Sequence, residues 1–425
     1  MPTLLINTQT EFLQFVLSKI ALRLIGAVAI GLSPFGSAAS SLAQESFDFD
    51  RGKVFDEVAQ AVAEHFYDKN FDGDDWRERC SKLRKQATNA ESFDQYDQLV
   101  NKLLATLNTS HTYYFSRNNP KRYQLFGIFH ELYKDDEDLF CYDGIGIDTR
   151  IVDGKTFVVS VFDGLPAFKS GLKFGDEIVS VDGAPFHPIG SFAKKTGSSV
   201  TVKLNRAEKP MSLEIEVDQL DGRTMYETAL EASARVIERG EKKIAYIHVW
   251  SYAGSKYQEK VREALLWGQL SECDALVFDC RDGWGGADLN YLNLFRDPIA
   301  IVQSEPRSGK SISYSGVWEK PVALLVNDRS TSGKELFTHG FKKLKLGKVF
   351  GETTAGAVVA GRIFRLSNGD ALYLAVSDVH IDNQRLEGIG VEPDEKVKRP
   401  LKNAAANDQQ LEAALDYLQR LRSSR

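Results

Sequence analysis

The 425-residue chain holds only four cysteines, Cys80, Cys141, Cys273 and Cys280. Four are too few for a disulfide scaffold, and none stands in a Cys-x-x-Cys pair or in a His/Cys cluster at metal-ligand spacing. Neither a metal nor another cofactor is therefore expected. Cys280 falls in an apolar strand and reads as a small buried hydrophobe rather than a nucleophile. Long apolar runs are also missing: Leu24 to Leu32 is too short to cross a bilayer as a helix. Basic charge is not in excess. The net charge is −6 and no basic stripe interleaves with aromatics, which excludes a nucleic-acid footprint. No internal repeat or low-complexity tract stands out.

What is present is the composition of a soluble globular protein, 43% apolar and 26% charged, long enough for two or three domains. Lys19 and Arg23 precede the apolar run Leu24 to Leu32, and small residues after Pro34 offer cleavage sites ending at Ala39 or Ala43. This predicts an export signal over residues 1–43, a periplasmic or secreted mature protein, and no stable membrane insertion once the signal is removed. Glu11 departs from that pattern and leaves an uncleaved anchor as the alternative. No cysteine follows the run, which argues against a lipid anchor.

The mature chain divides by pattern. Residues 44–140 begin helical: Val54, Phe55, Val58, Val62 and Phe66 recur at helix spacing, Asp74-Asp75 cap a segment from Trp76, and Tyr96, Leu99, Leu103 and Leu104 share a third face. Three antiparallel helices are the simplest packing. Ser110-His111 then precedes the β-branched and aromatic run Thr112 to Phe115, placing His111 at a helix-to-strand junction. The polar stretch Arg117 to Asp138 predicts a loop or hairpin. A compact β-rich unit fills residues 141–220. From 221 to 425, a helical segment Met225 to Arg239 leads into alternating strands and helices, predicting a mostly parallel sheet covered on both faces. Strands are expected at Ile244 to Val249, Ala275 to Cys280, Val322 to Val326, Lys348 to Glu352 and Ala371 to Val376, with a helix from Ala287 and an amphipathic C-terminal helix, Leu411 to Leu421.

Chemistry is concentrated where these strands end, as open α/β sheets dictate. Asn327 to Glu335 places Ser330 and Ser332 where a buried strand turns into a helix, with free N–H groups and the positive helix end beside them. A serine there is a helix cap or a nucleophile. The turn Arg281-Asp282-Gly283-Trp284-Gly285-Gly286 can bring an unhindered N–H to a ligand. A serine nucleophile also needs a base, and His111 is a candidate.

The β-rich unit resembles a PDZ domain, through Pro166 to Leu172, Gly175-Asp176 and Val181-Asp182-Gly183. In that resemblance Gly144, Ile145, Gly146 and Ile147 form the loop that binds a peptide's terminal carboxylate. The runs Asp279 to Gly286, the serine turn, Val349 to Gly356 and Gly388-Ile389-Gly390-Val391-Glu392-Pro393-Asp394 occur in order after this unit. Together they resemble the C-terminal processing (tail-specific) peptidase superfamily, which includes the tricorn core protease. The resemblance implies a crotonase-like or ClpP-like α/β core, polypeptide substrates and serine-peptidase chemistry. The catalytic lysine of processing peptidases would fall on Ala357, so a Ser-Lys dyad lacks its residue. Lys334 reads as an exposed residue of the helix start. The tricorn branch instead implies Ser332 as nucleophile, His111 as base, and Ser110 and Glu387 as its supports. Gly333 with Gly285 or Gly286 would form the oxyanion hole. Ser330 and Glu392 remain alternatives to Ser332 and Glu387. A non-catalytic binding protein, as in retinoid-binding relatives of this fold, is the competing function.

Overall fold

A computed structural model describes residues 49–134, 136–307, 309, 312–401 and 407–421. The expected export signal lies outside the described residues. In chain order the elements are α1 (Arg51–His65), α2 (Gly73–Thr88), α3 (Phe93–Ala105), β1 (Tyr113–Phe115), α4 (Pro120–Ile128), β2 (Cys141–Gly144), β3 (Ile147–Val152), β4 (Lys155–Val161), α5 (Pro166–Lys169), β5 (Glu177–Val181), β6 (Ser199–Arg206), β7 (Lys209–Glu216) and β8 (Asp218–Asp221). They continue with α6 (Met225–Ser233), β9 (Arg235–Arg239), β10 (Lys242–His248), α7 (Ser255–Leu266), β11 (Ala275–Asp279), β12 (Val302–Ser304), β13 (Ile312–Tyr314), β14 (Val322–Val326), α8 (Gly333–Lys343), β15 (Lys348–Gly351), β16 (Ala360–Arg365), β17 (Ala371–Ser377), β18 (His380–Ile381), β19 (Gln384–Arg385), β20 (Glu395–Lys396) and α9 (Gln409–Arg420).

The α/β core is a six-stranded sheet in the order β20-β15-β14-β11-β10-β9, parallel except for the β9 edge. Its central strands are apolar on both faces because both are covered. Ile244, Tyr246, Val277, Leu325 and Phe350 pack with Leu415 and Leu418 of α9. The alternate residues Ala245, Ile247, Phe278, Leu324 and Val326 pack with α6, α7 and α8 through Tyr226, Tyr257 and Phe337.

The N-terminal helices start where carboxylate or hydroxyl caps accept free N–H groups: Asp50 from Lys53, Asp72 from Asp74 and Asp75, and Ser92 from Gln95. The second cap is thus Asp72, not Asp74-Asp75. These helices pack on a separate three-stranded antiparallel sheet, β1-β17-β16. Here β17 departs from expectation, since Ala371 to Val376 was expected to complete the parallel sheet. The Asn368-Gly369 turn folds it back on β16 as a hairpin, and β20 takes the core edge instead. Leu372 and Leu374 face the helices, while Ala371 and Tyr373 face Leu125 and Phe126 of α4.

Arg117 to Asp138 is not a loop or hairpin. Asn119 caps α4 with Pro120 in its first turn. The helix was obscured because Arg122 and Gln124 are polar yet buried, with Arg122 Nε donating to Gly369 O at 2.8 Å. The segment after Met225 is helical only to Ser233, whose hydroxyl accepts from His248 N at 2.8 Å; the chain then pairs as β9. After Ala287 the turn is a 3-10 helix, Leu289–Phe295, capped by Asp288.

The β-rich unit is a five-stranded sheet, β3-β4-β5-β6-β7, with its own core of Ile145, Val158, Ile178, Val202, Leu204 and Ile215. The ribbon β2-β8 forms the neck through which the chain enters and leaves it.

Candidate active site

Ser332 sits at the N-cap of α8, directly after the turn that leaves β14. Its φ of 55° is left-handed, a conformation that costs a non-glycine residue about 1–3 kcal/mol and is tolerated when surrounding contacts over-determine it. Those contacts are present. Ser332 N donates to Ala357 O at 2.8 Å and to Glu335 Oε1 at 3.1 Å. Ser332 is half-buried, whereas Ser330 is fully buried and its hydroxyl donates to Cys280 O at 2.9 Å. Ser330 therefore holds the turn together and is unavailable to a substrate.

The glycine turn lies against the serine turn. A Cβ on Gly285 would stand 2.5 Å from Thr331 O and 2.7 Å from Ser332 Cβ. One on Gly333 would stand 2.7 Å from Gly286 N. Both positions thus need glycine so that two main chains can abut. As the first residue of α8, Gly333 has an N–H with no acceptor inside its helix.

The histidine arm arrives from the other end of the protein. His111, two residues before β1, is 7% exposed and has a φ of 52°. Its ring lies 5.1 Å from that of Tyr373, the residue paired with Tyr113 across β1 and β17. Nδ1 is 2.9 Å from Ser110 Oγ, which donates to Glu387 Oε2 at 2.9 Å. A hydroxyl has one proton, so Ser110 accepts from Nδ1–H, and the lone pair of the neutral ring is on Nε2. Glu387 also accepts from Ser110 N at 2.8 Å and Val358 N at 2.7 Å. Burial pushes the His111 pKa down to about 4, against the opposing pull of the Glu387 charge. Glu392, the alternative, is exposed and binds Lys396.

The two arms meet on adjacent residues, because Ala357 O receives Ser332 N and Val358 N serves Glu387. Ala357 itself, where the processing-peptidase lysine would fall, thus lies beside Ser332.

Two residues beside Ser332 have roles that sequence reasoning missed. Glu335 is fully buried and accepts from Ser332 N, Ala357 N (2.7 Å), Gly356 N (2.7 Å) and Thr354 Oγ1 (2.6 Å). Burial raises its pKa, against these hydrogen bonds. Its spacing from Ser332, S-x-x-E, is the capping-box signal that could have found it. Lys334 is not exposed; it is completely buried. Its Nζ donates to Asp282 O at 2.6 Å and to Trp250 O at 3.2 Å. Nothing in local spacing distinguishes such a lysine from a surface one.

In the β-rich unit, Gly144 belongs to β2 and Ile147 opens β3, so only Ile145 and Gly146 make the turn. Their carbonyls are taken by Ala167 N at 2.8 Å and Phe162 N at 3.0 Å. The strand that follows, β3, is the edge of its sheet. All four cysteines are free, and Cys280 is fully buried.

Comparison with known proteins agrees with this architecture. The model of peptidase family S41 matches residues 243–397, and that of the PDZ domain matches residues 144–217. The chain is 26% identical over 392 residues to tricorn protease homolog 2 of Streptomyces coelicolor, covering 86% of this chain and 32% of that protein. It is 24% identical over 404 residues to the carboxy-terminal processing protease CtpB of Bacillus subtilis, covering 89% and 78%. The crystal structure of the tricorn protease superposes with a TM-score of 0.51 at 18% identity, over 87% of this chain and 36% of that one. The chain therefore spans about a third of the length of these tricorn-type proteins. On these grounds residues 243–397 are similar to the core of peptidase family S41 and residues 144–217 to a PDZ domain.

Proposed function

We propose that this protein is an exported serine endopeptidase that cleaves unfolded or C-terminal-tail segments of polypeptides. Ser332 attacks the scissile carbonyl. Nε2 of His111 takes the serine proton and returns it to the leaving amine, while Ser110 and Glu387 hold the ring in the required tautomer and steady its charge. The N–H groups of Gly333 and of Gly286 or Gly285 receive the oxyanion, at about 2.7–4 kcal/mol of barrier for each donor. A substrate tail adds to the β3 edge, with its carboxylate at the Ile145-Gly146 turn.

The observation that carries this reading is the hydrogen-bonded line Glu387–Ser110–His111, which meets the Ser332 turn at Ala357-Val358. A non-catalytic binding protein has no use for a buried, tautomer-fixed imidazole together with a serine held at positive φ on a helix start. Labelling with a fluorophosphonate tests the reading: wild type should react and Ser332→Ala should not. His111→Ala should lower peptide cleavage by about three orders of magnitude or more. Equal labelling of wild type and Ser332→Ala, or near-normal cleavage by His111→Ala, would overturn it.

A further inference from the structure

Lys334 has no part in the scheme above, yet a buried ammonium is retained only where its surroundings repay its desolvation. Both of its acceptors hold one feature, the turn Gly283 to Gly286. Asp282 O opens that turn. Trp250 O also receives Trp284 N at 2.8 Å, and a Cβ on Gly283 would stand 1.8 Å from it. Ser332, Gly333 and Lys334 are consecutive, so α8 presents in its first turn a nucleophile, one oxyanion donor, and a cation clamped to the loop that carries the other donor.

We propose that Lys334 is a positioning residue of the oxyanion hole: by holding Trp250 O and Asp282 O, its ammonium keeps the Gly285-Gly286 N–H groups aligned with Gly333 N and adds positive charge behind the oxyanion. This rests on the serine-peptidase reading. The groups facing the ammonium are Cys280 and Asp279 from the end of β11, and Asp282 from the turn. Beyond Asp282 lie Arg329, which is bonded to its carboxylate, and His248 of β10, whose Nε2 is 2.9 Å from Arg281 O. Burial pulls the Lys334 pKa down to about 8, partly offset by Cys280 and these carboxylates. The charged form is the aligning one, so turnover is lost as pH rises through about 8.

The test is Lys334→Met in the full chain, with peptide cleavage followed against pH and unfolding measured alongside. Loss of an aligned donor predicts a fall in kcat of roughly 100-fold, with KM within about twofold, because the interaction forms only with the oxyanion. The alkaline limb of wild-type kcat should vanish in the variant. A purely structural lysine would move the unfolding midpoint and leave that limb in place. An active wild type beside an unaffected Lys334→Met overturns this inference alone. A wild type inert to fluorophosphonate overturns the peptidase reading and this inference with it. Should the variant not fold, the wild-type profile decides: a flat kcat from about pH 7 to 10 overturns the proposal.

Discussion

His111 combines deep burial with a hydrogen bond that fixes its tautomer, and this has a consequence for pH dependence. A base must be unprotonated, and an ordinary histidine loses that form below about pH 6.5. With its pKa at about 4, His111 stays neutral well into the acid range. kcat/KM should therefore hold at pH 6 and fall only as pH drops towards 4, as steady-state profiles with a neutral peptide would check. Glu387 acts in the opposite sense to burial, since its negative charge favours the imidazolium. Glu387→Gln should thus move the acid limb lower still while reducing kcat, because the developing imidazolium loses its partner. A limb near pH 6.5 in wild type would contradict both expectations. The local settings of Ser332 and His111 could be read from sequence, a strand-to-helix turn for Ser332 and the approach to β1 for His111. The buried state of Lys334 could not, since it depends on the segments at Trp250 and Asp282 that pass over it.

At the scale of the element, the start of α8 is the structure that gathers the site. Its first N–H, that of Gly333, has no acceptor inside the helix, and Glu335 in its first turn joins the helix to the loop Thr354 to Ala357. Removing that carboxylate leaves several buried donors without acceptors, at about 1–3 kcal/mol for each. Glu335→Ala should therefore lower stability by about 3 kcal/mol or more, seen as a lower urea midpoint at unchanged slope. It should also reduce activity, because Ser332 N and Ala357 N lose their shared partner. The glycine turn is equally constrained, with no room for a Cβ on Gly285. Elements whose assignment rested on continuous apolar runs were less legible. The run Ala371 to Val376 has the same composition whether it joins the parallel core or folds back on β16, and the Asn368-Gly369 turn decided the outcome. Buried Arg122 and Gln124 likewise gave α4 the polarity of a loop.

Across the whole molecule, the apolar residues fall into separate clusters. The PDZ core is distinct from the two clusters that sandwich the parallel sheet, and a two-stranded neck joins it to the rest. Leu204, 1% exposed within the PDZ core, should on truncation to alanine destabilise that unit by about 2–5 kcal/mol. Unfolding followed by near-ultraviolet circular dichroism should then separate into an earlier PDZ transition and a later core transition. A single transition shifted as a whole would instead mean that the two clusters unfold together. Arg329 is a direct polar link between the units: its guanidinium donates to Val159 O of β4 and to the Asp282 carboxylate of the glycine turn.

Sequence alone determined the features that local chemistry imposes. A serine after a buried strand, glycines where main chains must abut, and the core strands β10, β11, β14 and β15 all follow from the properties of neighbouring residues. Tertiary structure decided which distant segments meet. Glu387 reaches Ser110 across 277 positions, Ser332 and Glu387 are joined through Ala357-Val358, and a lysine two residues from Ser332 turns inward to two main-chain carbonyls. Hydrophobic periodicity specifies a face to be buried but not the segment that will cover it, and hydrogen-bond partners far apart in sequence leave no trace in local spacing.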